Sequence, residues 1–285
     1  TTMLYALAAK GTKPAYFNNL FFRAATADAA CSAQAKEDDQ TIVNEEEAWT
    51  YEAGTKKTWL EDRLTTNLSV YFIDWDEQGV FQSASVCGAP ATITRNAGKS
   101  EVFGLELETS FVLTDNLTGT FGYGLADGKY LEYDDPFIAD TTGIGNDANG
   151  NVINGSNNAR GNRIQSSPKH NFVTSLNYVR NVGRATDLFA RTEFIYEGRR
   201  FTAADNFITI PSRKLWNARV GAEQSAWKFT TYVRNILDER TPSSVFSFQA
   251  LQGLDWPNGN DVQLYSAAVT PGRAYGVELL YRFGD

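Results

Sequence analysis

The sequence predicts an all-β chain of the transmembrane antiparallel β-barrel class, and three observations carry that prediction. Apolar and polar residues alternate with period two in runs of about ten residues or more. Those runs are separated by short turns and long polar segments in alternation. No apolar stretch approaches the ~18 to 20 residues that a spanning helix needs. A mean hydropathy of -0.36 would suit a soluble protein, but barrel strands alternate lipid-facing and lumen-facing residues, so their average stays unremarkable.

About ten strands follow along the chain, over 2–16, 48–60, 64–83, 98–113, 117–133, 166–180, 185–200, 214–224, 227–243 and 272–283. The first residues already read as strand interior, with no signal peptide ahead of Thr1, so a truncated chain is expected. The second strand runs up to the turn at Glu61-Asp62-Arg63. In the third, Leu68, Val70 and Phe72 alternate with Asn67, Ser69 and Tyr71. In the fourth, Phe103, Leu105, Leu107 and Phe111 face away from Gly104, Glu106, Glu108 and Ser110, so the two carboxylates point to one side. The fifth sets Phe121, Tyr123 and Leu125 against Thr120, Gly122 and Gly124. The sixth sets Phe172, Thr174, Leu176 and Tyr178 against Val173, Ser175 and Asn177. In the seventh, Phe194 and Tyr196 oppose Arg191, Glu193 and Glu197. The eighth and ninth flank the turn Gln224-Ser225-Ala226. In the tenth, Tyr275, Val277, Leu279, Tyr281 and Phe283 alternate with Gly276, Glu278, Leu280 and Arg282.

Further short turns lie at Thr114-Asp115-Asn116 and from Asn181 to Ala185. Long segments at 17–47, 84–97, 134–165, 201–213 and 244–271 alternate with the short turns, which puts the long ones on one rim. Trp59, Trp75, Trp216, Trp227, Tyr130 and Tyr133 at strand ends fit interfacial girdles. The stretch Gly143 to Gly161 is rich in Gly and Asn and reads as an exposed loop. Its Asp147-Ala148-Asn149-Gly150-Asn151 fails the calcium-loop pattern, because glycine is misplaced and no acidic residue closes the twelve-residue loop.

A net charge of -8 and a pI near 4.9 argue against nucleic acid as a partner. The acidic runs Glu37-Asp38-Asp39 and Glu45-Glu46-Glu47 read as solvated loop faces. Cys31 and Cys87 form no CxxC pair and sit beside no histidine, so metal-ligand spacing is absent. Both fall in segments read as loops, where an oxidising envelope favours a disulfide between neighbouring loops over two unpaired thiols. The single histidine, His170, opens a strand and reads as structural or interfacial. No nucleophile elbow or phosphate cradle occurs, and no cofactor is expected. Glu106 and Glu108 read as lumen polarity or plug contacts rather than as an acid/base pair.

Two segments resemble the C-terminal barrel region of TonB-dependent outer-membrane receptors. Pro271-Gly272-Arg273-Ala274-Tyr275-Gly276-Val277-Glu278-Leu279-Leu280-Tyr281-Arg282-Phe283 resembles that family's last strand, although Gly284 and Asp285 follow it here. Tyr232-Val233-Arg234-Asn235-Ile236-Leu237-Asp238 resembles the penultimate strand and its Asn-Leu-x-Asp element, with Ile236 in place of leucine. Weaker matches lie at Leu4-Tyr5 through Gly11-Thr12-Lys13-Pro14, Gly54-Thr55-Lys56 to Trp59, and Gly104 to Glu108.

The resemblance implies a 22-stranded barrel with an N-terminal plug and a TonB box, of which residues 1–285 are the C-terminal strands and extracellular loops. It also implies residence in the bacterial outer membrane, contact with lipopolysaccharide, TonB and the barrel-assembly machinery, and import of a scarce solute, most commonly a ferric siderophore. Tyr275, Val277, Leu279, Tyr281 and Phe283 would then form the assembly signal. For substrate binding, Arg199, Arg200 and Phe201 at an outer strand end, with Phe248 and Trp256 in the last loop, suit an anionic ferric chelate or an aromatic or sugar ligand. A passive porin, an adhesive barrel or a soluble β-sandwich binding module would share the alternation. A soluble enzyme is the weakest reading, since nothing supplies its chemistry.

Overall fold

A computed structural model describes residues 2–18, 41–86, 89–133, 159–183, 185–206, 208–248 and 264–283. In chain order the strands are β1 (Thr2–Lys13), β2 (Tyr16–Phe17), β3 (Ile42–Val43), β4 (Glu46–Trp59), β5 (Leu64–Val86), β6 (Ala89–Thr114), β7 (Leu117–Glu132) and β8 (His170–Val182). They continue as β9 (Thr186–Glu197), β10 (Arg200–Phe201), β11 (Thr209–Ile210), β12 (Arg213–Gln224), β13 (Trp227–Arg234), β14 (Pro242–Phe248), β15 (Leu264–Val269) and β16 (Ala274–Tyr281). Ten of these form one antiparallel sheet in the order β1-β4-β5-β6-β7-β8-β9-β12-β13-β16, and the other six pair off as the hairpins β2-β3, β10-β11 and β14-β15. The sheet is thus a meander in which every main strand bonds its neighbours in sequence, with β1 and β16 at its edges.

Register carries the side-chain alternation coherently across the sheet. Leu68 pairs with Thr55 on one side and Leu107 on the other, and Val220 with Ala190 and Thr231. One face therefore presents Leu68, Val70, Phe72, Phe103, Leu176, Val220, Phe229, Val277 and Leu279, all exposed. Val277 and Leu279 are 72% and 71% exposed, where a two-layer sandwich would bury such residues against a second sheet. Apolar side chains facing outward from a single wall mark the lipid face of a barrel. That band spans Tyr51 to Trp59 on β4 and Phe103 to Phe111 on β6, roughly 26 Å of strand at ~3.3 Å per residue, which at a tilt of ~40° covers about 20 Å of the ~25 Å apolar height of outer-membrane barrels.

Charge bounds the band on the loop side. On the same face Lys10 pairs with Glu47 at 2.7 Å, Lys99 with Asp74 at 3.0 Å and Lys169 with Asp127 at 2.7 Å. Trp59, Trp216 and Trp227 share the lipid face, and each indole N–H donates within the wall, to Thr66 (3.0 Å), Thr192 (2.7 Å) and Gln224 (2.8 Å) respectively. A ring body in lipid with its polar edge satisfied is the girdle arrangement. The other three predicted girdle residues are placed differently. Trp75 pairs with Ala48 and Ser100 in the inward phase. Tyr130 and Tyr133 are 0% and 2% exposed. They pack inside the rim, because chain from the following loop folds onto them.

The structure also corrects several boundaries. Segment 84–97, expected as a loop, continues the β5–β6 ladder, with Gln82 opposite Ile93 and Val86 opposite Ala89. Beyond the membrane no lipid faces the hairpin, so the strand persists without apolar alternation, and Val80, Ile93 and Ala97 on it are buried. The strand expected over 227–243 stops at Arg234, where Asn235 and Asp238 turn the chain with φ of 52° and 53°. Segments 201–213 and 244–271 hold β11 and the β14–β15 pair rather than loop alone.

Inside the wall, tyrosines lie flat over glycines of the adjacent strand. Tyr5 covers Gly54, Tyr71 covers Gly104 and Tyr232 covers Gly276, each pair directly opposite in register. These rings fill the space a Cβ would take, which joins neighbouring strands by side-chain packing as well as by the backbone ladder.

Candidate functional site

The functional surfaces of such a wall are its inner face and its outer rim. The inner face carries the polar phase of every strand: Glu52, Asn67, Glu106 and Glu108 toward the first edge, then Ser175, Arg191, Glu193, Arg213, Arg219, Arg234 and Glu278 toward the last. Tyr5 donates its hydroxyl to Glu52 at 2.5 Å, and Asn67 donates to Glu108 at 3.4 Å. A face this polar is what the inner side of an outer-membrane barrel carries and what a packed core excludes.

At the rim, loop chain is tied to the inner side of the wall. Residues 159–164 pair with the end of β7: Tyr130 N–H donates to the Asn162 carbonyl at 2.9 Å, Gly161 N–H to Tyr130 at 2.8 Å and Ala159 N–H to Tyr133 at 2.8 Å. Val80, Ala97, Tyr130, Tyr133, Ala159, Ile164 and Ala204 bury one another there. Asparagine amides act as surrogate strand residues around this cluster. Asn206 accepts from the Arg163 N–H (2.7 Å) and donates to the Arg163 carbonyl (2.8 Å), and Asn18 makes the same pair of bonds with Thr94 (3.0 and 2.9 Å). Burial pushes the Tyr130 phenol up to about 12, against a smaller opposing effect of the Gln165 N–H that its hydroxyl accepts.

The residues expected to bind substrate divide by environment. Arg199 is exposed at the end of β9. Arg200 is 8% exposed, ion-pairs with Glu197 at 3.0 Å and donates to the Ser243 carbonyl at 2.5 Å. Glu197 also binds Arg213 at 2.6 Å, so Arg200 lies in an Arg–Glu–Arg cluster that fastens the end of β9 to β14. Phe201 is half-buried beside it, and its carbonyl accepts from Ser166 N–H at 2.8 Å. Phe248 ends β14 opposite Leu264, so the structure joins the Arg199–Phe201 segment to the base of the hairpin whose far end carries Phe248. Trp256, Cys31 and Cys87 lie outside the described residues. Of the expected assembly signal, Tyr275, Val277, Leu279, Tyr281 and Phe283 are all exposed on the lipid face, and Tyr281 meets Phe283 edge-to-face with ring centroids 4.7 Å apart. His170 shares the lipid-face phase of Leu125, and its Nδ1 lies 2.8 Å from the Tyr123 hydroxyl. Among the described residues no three His, Cys, Asp or Glu side chains gather as metal ligands.

Sequence reasoning missed the hub at Asn235. This residue is 4% exposed, and its amide donates to the Glu239 and Pro271 carbonyls, both at 2.9 Å, and accepts from Glu239 N–H at 2.8 Å. Asp238 accepts from Arg273 N–H at 2.8 Å. The Asn-x-x-Asp spacing was visible, but its work of clasping β13 to the approach of β16 needs the fold.

Solved structures agree with this architecture. The ferric yersiniabactin uptake receptor FyuA from Yersinia pestis superposes with a TM-score of 0.65 at 17% identity, over 98% of this chain and 34% of its own. The siderophore receptor PiuA from Acinetobacter baumannii does so at 0.61 and 17%, over 98% and 33%. The copper transporter OprC matches at 0.56 and 14%, over 84% and 31%. At these identities the likeness establishes the fold, and the chain spans about a third of the length of these receptors. Residues 1–236 match the family described as TonB dependent receptor-like, beta-barrel, whose members are outer-membrane proteins. A match over that much of the sequence, on a wall greasy outside and charged inside, makes this chain a member of the TonB-dependent receptor β-barrel family.

Proposed function

We propose that this chain is the C-terminal part of the barrel of an outer-membrane receptor that binds and imports a scarce solute, a ferric siderophore above other cargoes, with energy delivered through TonB. The observation that carries the reading is the single-layer meander whose lipid face is exposed and apolar while its inner face is charged. Ten strands with two unpaired edges support a wall that residues 1–285 share with further strands of one barrel domain. The neighbouring structures include receptors for ferric chelates and one for copper, so scarce-metal cargo is the common theme.

In this reading cargo is held at the rim by Arg199, Arg200, Phe201, Phe248 and Trp256. Arg199 offers an unburied guanidinium to an anionic chelate, while Arg200 sets the shape of that rim through Glu197 and Ser243. A disulfide between Cys31 and Cys87 would join two extracellular segments. Lipopolysaccharide meets the charged edge of the lipid face, and the assembly machinery reads the exposed aromatic strand β16.

Uptake of radiolabelled ferric chelates by cells carrying the full-length receptor tests the reading. Import that requires TonB, and that falls in Arg199→Ala and Trp256→Ala receptors at equal surface expression, is expected. A large open conductance of the full-length protein in planar bilayers, with no TonB-dependent uptake, would establish a passive pore instead.

A further inference from the structure

We propose that the inner wall of β9, β12 and β13 carries a second, deeper anion site, below the rim, that takes the carboxylates of a small solute through Arg191, Arg219 and Arg234. This inference rests on the import reading, since cargo crossing the lumen passes this wall.

Arg219 stands directly opposite Arg191 in the β9–β12 register, and directly opposite Tyr232 in the β12–β13 register. Like charges facing each other across antiparallel strands destabilise a sheet, and a wall selected only for stability would alternate the signs at this level. The third guanidinium, Arg234, stacks over the Tyr232 ring with its Cζ 4.8 Å from the centroid. The three arginines, with Glu193 and Glu278, line one concavity of about 450 Å³, within the size range of small-molecule sites.

Charge in that concavity is unbalanced. Glu193 is already held by Arg191 at 3.2 Å. Among the described residues Arg219 has no ion pair, and it is exposed to the lumen. Three guanidiniums against two carboxylates leave one net positive charge, and the planar donor forks match carboxylate oxygens, two at a time. Glu193 and Glu278 keep the attraction moderate, which suits a station that a solute must enter and leave. The level is distinct from the rim: Arg213 and Glu197, which anchor Arg200, lie toward the loops, with Leu215 and Ile195 between them and the Asn217–Glu193 pair.

Calorimetric titration of the purified full-length receptor with citrate, used as a tricarboxylate probe, tests the site without requiring transport. Citrate binding is expected, weakened at least about tenfold in Arg219→Gln and in Arg191→Gln, and only partly restored in Arg219→Lys, which keeps the charge but loses the planar fork. Binding that is equal in wild type and the Arg191→Gln/Arg219→Gln double variant would overturn the proposal. So would absence of citrate binding to wild type accompanied by a lower Tm in Arg219→Gln, because the arginines would then be neutralised by an internal carboxylate of the receptor. Citrate binding with no TonB-dependent uptake would leave the anion site standing while removing the import reading.

Discussion

Adding one methyl group at two glycines of neighbouring strands should shift stability in opposite directions. Gly104 on β6 and Gly124 on β7 both belong to the inward phase, and neither has a positive φ. Glycine in a strand interior costs about 0.5–1 kcal/mol relative to alanine, so alanine at an unobstructed position stabilises. At Gly124 nothing lies within 4 Å of a new Cβ, and Gly124→Ala should therefore gain that amount. At Gly104 the same atom falls inside the Tyr71 ring, on Cζ and both Cε atoms. The ring must leave its seat, an overpacking cost of about 1–3 kcal/mol that exceeds the backbone gain. The backbone gain is common to both, so the two variants should differ by the overpacking cost itself, about 1–3 kcal/mol, with opposite signs relative to wild type.

Urea unfolding of the full-length receptor in phospholipid, followed by tryptophan fluorescence, measures both. A Tyr71→Ala background makes the inference specific, because there Gly104→Ala should lose its penalty, giving a coupling of about 1–3 kcal/mol. Equal midpoints for Gly104→Ala and Gly124→Ala, or an undiminished penalty once Tyr71 is gone, would show that the ring does not lie across the glycine.

Three further outcomes follow from the same wall. Val277→Arg places a charge on the lipid face and should cost up to about 2–4 kcal/mol in a bilayer, whereas an exposed residue of a soluble sandwich would tolerate it within about 0.5 kcal/mol. Leu60, Glu61 and Asp62 hold φ of 50°, 53° and 68° in succession, so Glu61→Gly should raise the unfolding free energy by up to about 1 kcal/mol; a lower one would contradict the left-handed turn. Glu239 is held below the usual carboxylate range, first by the Thr241 hydroxyl and then by surrounding backbone N–H groups. A depressed carboxylate contributes stability above its unfolded pKa and loses it as pH falls through the lower folded value. The Tm of the full-length receptor should therefore decline as pH is lowered through and below the ordinary carboxylate range, with part of that slope missing in Glu239→Gln.

What the sequence disclosed and what it hid divide along one physical line. Where a strand lies between lipid and water, its side chains must alternate, and β5 from Leu64 to Phe72 or β6 from Phe103 to Phe111 could be read directly, down to which carboxylates share the lumen. Where the same hairpin rises into water the constraint vanishes. Gln82, Ser83 and Thr92 pair as regularly as Leu68 and Leu107, yet they read as loop. Phe121 and Phe172 advertise their side of the wall, but the fate of Tyr130 depends on Asn162 and Gly161 arriving from a later segment.

The site residues obey the same division. Arginines at 199 and 200 lie just past the loop-side end of β9, and position in the sequence alone does not distinguish the two neighbours. Arg199 stays exposed, while Arg200 is buried by a carboxylate three residues before it and a carbonyl 43 residues after it. The deeper arginines show the limit most clearly. Each is an unremarkable polar residue in its own strand, and only the antiparallel register sets Arg191 against Arg219 with Arg234 within reach. Period two assigns a residue to a face, but which residues meet on that face is decided by where each turn begins. A one-residue slip at Gln224-Ser225-Ala226 would turn Arg234 outward into lipid, so the short turns fix the chemistry of the lumen as firmly as the arginines themselves.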